Sequence, residues 1–339
     1  MIWVHAGLAK TGTSSIQAAL RLIRHRSRYS VWTIGDAPQP LSPEWNTWVE
    51  RRATSGDVIV SDEGLLGDPL TGYADLPQRI MALREALPDV PITLVLGLRR
   101  QSTWVQSMYL QSLQQGGSMY ASEFWSQLET SPYVLWSNLV AEAESAFGQD
   151  AVRVFLHQDG RDAVTDFFSL CGLKPPPSMG RPIRENVSVS ATQAPIVRRF
   201  NEMSTPTEQK AMRRFLQLVA GPDPSGKFSV LPESTTSSIG AACRTDWHDL
   251  ITRLSSTGQL AHSQANSAEW LELEDAYPGD DLNCPPVERE ILRLLSVAVA
   301  NSRDIQARSV MARLVDKVRI NPRDLPAAAV RVLRRPRAH

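Results

Sequence analysis

Ile2-Trp-Val-His-Ala-Gly-Leu-Ala-Lys-Thr-Gly-Thr-Ser-Ser-Ile16 is a short apolar strand, a glycine-bearing turn and the first turn of a helix in succession. Ile2, Trp3 and Val4 form the compact apolar run of a buried parallel strand, and apolar residues recur at helical spacing from Ile16 to Ile23. Between them, Gly7 and Gly12 permit conformations or close approaches that a side chain would block. Thr11, Thr13, Ser14 and Ser15 place hydroxyls beside the free amides of a helix N-terminus. Such a terminus attracts anions, and Lys10 adds an ammonium whose three donors suit a phosphate or sulfate oxygen. The stretch reads as a phosphate cradle.

Residue order separates this cradle from two common ones. Gly-x-x-x-x-Gly-Lys-Ser/Thr puts the lysine directly after its last glycine, whereas Lys10 precedes Gly12. The dinucleotide pattern Gly-x-Gly-x-x-Gly is absent from the turn. A second strand-to-helix passage lies at Ile92 to Leu98, which runs into Arg99-Arg-Gln-Ser-Thr-Trp-Val-Gln-Ser107 and a helical pattern through Leu113. Two helical turns carry Ser107 roughly 10 Å along the axis, so its hydroxyl can face an arginine at the strand end. A third strand, Asp57-Val-Ile-Val-Ser-Asp-Glu63, ends in two acids at the edge where open α/β sheets bind ligands.

Lys10-Thr-Gly-Thr-Ser-Ser15 after a strand resembles the 5'-phosphosulfate loop of PAPS-dependent sulfotransferases, and its His-x-Gly-x-x-Lys-Thr-Gly-Thr form looks like a bacterial branch of that family. The resemblance implies an α/β, P-loop-like three-layer sandwich with a central, mostly parallel sheet flanked by helices, plus a mainly helical C-terminal extension. It implies 3'-phosphoadenosine 5'-phosphosulfate as donor, 3'-phosphoadenosine 5'-phosphate as product, and no required metal. Lys10, Thr11, Gly12, Thr13, Ser14 and Ser15 would hold the 5' side, and Arg99 with Ser107 the 3'-phosphate. Arg184 and Asn186 stand where relatives have a polar loop over the cofactor. Glu63 is the expected catalytic base, with Asp62 as its neighbour to exclude. Lys10 would stabilise the leaving phosphate. His5, at the end of the first strand, is either a second acid or base or a hydrogen-bonded part of the wall. The acceptor expected first is a hydroxyl on a carbohydrate or glycoconjugate. The acidic end of the 57–63 strand also fits a kinase using ATP and magnesium, which remains the alternative. A noncatalytic nucleotide or anion binder is the second.

The core of the resemblance spans residues 1–200. Beyond it, 201–310 reads as a mainly helical region that could shape the acceptor site, and 311–339 as a basic tail. Helices are expected at Phe200 to Val219, Thr245 to Leu254 and Val287 to Arg313. The tail reads as solvated, with weak contact to an anionic surface as the other reading. Formal net charge is zero over 339 residues, which argues against a general nucleic-acid binder. Cys171, Cys243 and Cys284 are too scattered for a disulfide framework and form no metal site with the six histidines. No apolar run reaches membrane-spanning length, and the first strand begins almost at Met1, so a cytoplasmic protein without a signal peptide is expected. Trp45, Trp48, Trp104 and Trp125 flank the proposed segments; core packing is their default role, and lining an acceptor cleft the alternative.

Overall fold

The computed structural model describes residues 1–24, 29–158, 162–175, 193–209 and 230–261. Five strands form one sheet: β1 (Ile2–His5), β2 (Ser30–Thr33), β3 (Val58–Ser61), β4 (Ile92–Arg99) and β5 (Val152–His157). Their spatial order is β2-β3-β1-β4-β5, and every pairing is parallel. Parallel strands need long crossovers, and the chain supplies helices for them. These are α1 (Thr13–Ile23), α2 (Pro43–Ser55), α3 (Leu76–Ala86), α4 (Gln101–Gln114), α5 (Ala121–Leu128) and α6 (Trp136–Phe147). Three more follow: α7 (Ala163–Leu170), α8 (Ala194–Met203) and α9 (Glu233–Ser256).

Both faces of the sheet are covered, which is why the strands read as continuous apolar runs rather than alternating ones. On one face Trp3, Ile59, Val95 and Phe155 pack with Ile16 and Leu20 of α1 and with Phe167 and Phe168 of α7. On the other, α6 packs against β4 and β5 with α3 beside it. The expected α/β sandwich with a parallel sheet is therefore present. β2 is the strand that periodicity missed: Ser30-Val-Trp-Thr33 is four residues long and sits at the sheet edge.

Strand lengths decide where the site lies. His5 ends β1 opposite Val95, so β4 continues four residues, about 13 Å, past the end of its neighbour. The loop after β1 runs beside that extension, with the Ala6 amide donating to the Val95 carbonyl at 3.2 Å. A Cβ on Gly97 would lie 2.8 Å from Thr11 Oγ1 and 2.5 Å from Phe155 Cζ, so the loop and β5 close on bare backbone there.

The chain divides into two compact units. One holds Met1–Met108, the segment from Trp125 through α7, and α9 from Ser234 onward. Within it α9 is tied in by an ion pair of Arg253 with Glu144 at 2.7 Å and by a parallel bridge of Leu260 to Val154. The other unit holds Tyr109–Phe124 and α8. There Asn201 donates to the carbonyls of Leu113 and Gly117, and Arg198 lies 3.9 Å over the Tyr120 ring. The helix expected at Phe200 to Val219 is interrupted: α8 ends at Met203, and Thr205 and Glu208 exchange backbone–side-chain bonds as a capping box that starts another helix. The expected helix at Thr245 to Leu254 lies inside α9. The rest of the 201–310 region, including Val287 to Arg313, and the basic tail lie outside the described residues.

Candidate functional site

The C-terminal ends of the parallel strands carry His5, Ser61, Arg99 and His157 along one edge, with Asp62 and Glu63 directly after β3. The strand order turns back on itself at β1, which places a crevice at that edge. The loop from Ala6 to Gly12 arches over it. Lys10 and Gly12 both have left-handed backbone, with φ of 68° and 86°. Gly12 also has no room for a side chain, because a Cβ would stand 2.6 Å from that of Ala163. Alternating conformations of this kind turn successive amides inward as an anion-binding nest. The amides of Ser15 and Ile16 donate back to the Gly12 carbonyl, starting α1. Among the described residues, the five amides from Lys10 to Ser14 donate to no protein acceptor. Ser14 is exposed at the mouth, whereas Thr11 and Thr13 are buried. Thr11 is committed inward, its hydroxyl donating to the Leu8 carbonyl at 2.6 Å.

Three charges meet over this nest. Burial pushes the Lys10 ammonium below its ordinary range; the Glu63 carboxylate opposes that shift and Arg99 adds to it. Burial pushes the Glu63 carboxyl up, the charge of Asp62 pushes it further, and Lys10 holds it back. Glu63 is exposed to water and yet desolvated by surrounding protein, which describes a carboxylate on the wall of a concavity. Asp62 is turned to other work: it caps the next turn by accepting the Gly64 amide at 2.7 Å, and burial raises its pKa. The two adjacent acids thus have different environments.

Arg99 and Ser107 are linked through Thr103, which sequence reasoning passed over. Arg99 Nε donates to Thr103 Oγ1 at 3.1 Å, and Ser107 Oγ donates to the Thr103 carbonyl at 2.9 Å. Steps of four residues keep 99, 103 and 107 on one side. Arg99 Nη1 also reaches the Lys10 carbonyl at 3.4 Å, so the two anchors that lie 89 residues apart are joined directly. Behind Arg99, the Trp136 indole donates to its carbonyl at 2.7 Å.

His5 is fully buried. Its Nδ1 stands 2.8 Å from Ser61 Oγ, its ring packs against Phe167 at 4.9 Å, and burial drops its pKa to about 3. It is therefore a neutral imidazole at any physiological pH. Its Nε2 and Thr13 Oγ1 have no hydrogen-bond partner among the described residues, and both converge on Gly7, where a Cβ would sit 2.6 and 2.5 Å from them. Orphaned buried polar atoms beside an amide nest mark a place built for a polar group.

Tyr73 is a second member that periodicity did not show. It is fully buried, its hydroxyl accepts the Ala9 amide at 3.1 Å, and its ring stacks on Trp104 at 6.0 Å. Burial keeps its phenol protonated far above its ordinary range, with Glu63 reinforcing the effect. His157 comes to the cradle through tertiary structure: its ring atoms lie 3.6 Å from where a Gly12 Cβ would be. Trp45, Trp104 and Trp125 are core residues, each under 4% exposed. Arg184 and Asn186 lie outside the described residues. Among the described residues no group of three His, Cys, Asp or Glu is placed to hold a metal, and no helix is long and apolar enough to cross a membrane.

The structure is thus an α/β protein with a parallel sheet that sets an amide nest, a lysine and an arginine at its switch edge, an arrangement whose chemistry suits an anion. Residues 4–169 match the family model described as a sulfotransferase domain. The chain is also similar to the crystal structure of a sulfotransferase from Alicyclobacillus acidocaldarius, at 18% identity over 52% of this chain and 85% of that one, with a TM-score of 0.34. No curated protein matches.

Proposed function

We propose that the protein transfers a sulfuryl group from 3'-phosphoadenosine 5'-phosphosulfate to an acceptor hydroxyl, most simply one on a carbohydrate or glycoconjugate. The observation that carries this reading is the run of amides from Lys10 to Ser14 without protein acceptors among the described residues, with Arg99, 89 residues away from Lys10, bonded to its carbonyl as a second cationic arm. Such a pair of arms suits a ligand anionic at both ends. The donor would supply an activated sulfuryl group whose leaving group is the nucleotide 5'-phosphate. The nest and Lys10 receive the charge that develops on that leaving oxygen. Arg99, steadied by Thr103, holds the 3'-phosphate, and Ser107 joins it by turning its hydroxyl from the Thr103 carbonyl to the ligand. Glu63 accepts the proton of the attacking hydroxyl as the acceptor oxygen bonds to sulfur and the sulfur–phosphate oxygen bond breaks. Asp62 is occupied by its cap, so Glu63 is preferred as base. His5 takes a positioning role, because burial keeps its imidazole neutral and its Nδ1 is paired with Ser61.

Calorimetry with nucleotides tests the donor. The protein should bind 3'-phosphoadenosine 5'-phosphate without magnesium, and Arg99→Ala should weaken that binding by about 10- to 100-fold, the loss of a charge-assisted contact. Adenosine 5'-phosphosulfate, which lacks the 3'-phosphate, should bind wild type and Arg99→Ala alike. Preference for ATP with magnesium would overturn the reading in favour of a kinase.

A further inference from the structure

A cleft of about 610 Å³ opens beside the turn that carries Glu63. Its volume falls within the roughly 300–1,000 Å³ of small-molecule sites. Trp32, Ile34, Leu41 and Leu65 give it apolar walls. Asp62 and Gly64, which flank Glu63 in the chain, both line it, so its rim is one residue from the proposed base. The turn at 62–64 is thus a shared wall, with the cleft on one side and Lys10 acting on Glu63 on the other.

The charges in the lining are Asp36, Asp62 and Arg79. Two of them are neutralised from outside. Asp36 takes Arg24 on its carboxylate oxygens, at 2.9 Å on Oδ1, together with the Thr33 amide at 2.7 Å. Arg79 pairs with Asp75 at 3.0 Å. The Asp62 carboxylate accepts only the Gly64 amide among the described residues. A ligand entering the cleft therefore meets apolar walls and one carboxylate without a cationic partner. Hydroxyl donors satisfy that carboxylate; a second anion is repelled by it in a site partly shielded from water.

Resting on the sulfuryl-transfer reading, we propose that this cleft holds the body of the acceptor, an uncharged polyhydroxylated molecule with an apolar face, and that Asp62 excludes anionic acceptors. The acceptor then reaches over Gly64 to present its hydroxyl to Glu63.

Octyl β-glucoside and octyl β-glucuronide, each below its micelle concentration, differ in one carboxylate and serve as probes. Calorimetry on the full chain at neutral pH should show the glucoside binding and the glucuronide at least about tenfold weaker. Ile34→Lys, at an exposed position of the lining, should narrow the gap to about threefold or less while leaving binding of 3'-phosphoadenosine 5'-phosphate unchanged. Equal affinity for the two probes, no binding of either, or a gap unmoved by Ile34→Lys would each overturn the assignment. Nucleotide binding is measured on the same samples. Its loss with the glucoside preference intact overturns the donor reading and supports the cleft; intact nucleotide binding with no glucoside binding overturns the cleft alone.

Discussion

Lys10 and Glu63 are displaced toward each other on the pH scale, the lysine below its ordinary 10.5 and the glutamate above its ordinary 4.5. In the proposed mechanism Glu63 works deprotonated and Lys10 protonated. Activity should rise as pH passes the elevated Glu63 value and fall as it passes the depressed Lys10 value, giving a bell narrower than two ordinary side chains would. Measuring kcat/KM against pH tests this. Glu63→Gln should remove the acidic limb with most of the turnover while keeping nucleotide affinity. His5→Gln should lower kcat but leave both limbs in place, because an imidazole held at about 3 titrates far from either. Movement of a limb in that variant would make His5 a proton carrier rather than a positioning residue. The residue types at these positions were legible in the sequence. The division of labour between Asp62 and Glu63 was not, because it depends on which carboxylate the Gly64 amide meets.

At the scale of elements, the cradle works because loop, β4 and β5 close on one another without side chains between them. The strand–turn–helix order of the two passages at Ile2 to Ile16 and Ile92 to Leu113 was readable, since each is a local pattern of apolar spacing. Gly97 was not singled out, because a glycine within a strand has no local signature of what approaches it. Gly97→Ala should cost about 1–3 kcal/mol by overpacking against Phe155 and Thr11. Urea unfolding measures the stability, and calorimetry should show weakened nucleotide binding as the Thr11 loop shifts. An unchanged midpoint and affinity would mean that the loop relaxes freely. β2 escaped for a related reason: four residues are too few for periodicity to register, and the sheet edge they occupy is defined only by pairing with β3.

Across the whole molecule, α9 supports the site from a distance. Leu135, at the N-cap of α6, makes no side-chain capping bond. Asp246 of α9 takes that place, accepting the Trp136 amide at 2.9 Å and the Ser137 amide at 3.2 Å, and it also accepts Gln101 at the start of α4 at 2.8 Å. Trp136 in turn holds the Arg99 carbonyl. Asp246→Ala should destabilise the protein by about 1–2 kcal/mol, as loss of a helix cap does. It should also weaken 3'-phosphoadenosine 5'-phosphate binding more than adenosine 5'-phosphosulfate binding, since the support runs to Arg99. Thermal unfolding and calorimetry on one preparation check both, and equal effects on the two nucleotides would remove Asp246 from that role.

The sequence by itself determined the parallel α/β core and set Lys10 to Ser15, and Arg99 with Ser107, at two strand-to-helix passages, because strand, turn and helix N-terminus are written in neighbouring residues. Tertiary structure alone decided that Thr103 and the Lys10 carbonyl join the two arms, that His5 is sealed and neutral, that Tyr73 holds the Ala9 amide, and that Asp246 caps α6. Those contacts join residues up to 110 positions apart or depend on burial, and neither distance through space nor exclusion of water is encoded in local spacing.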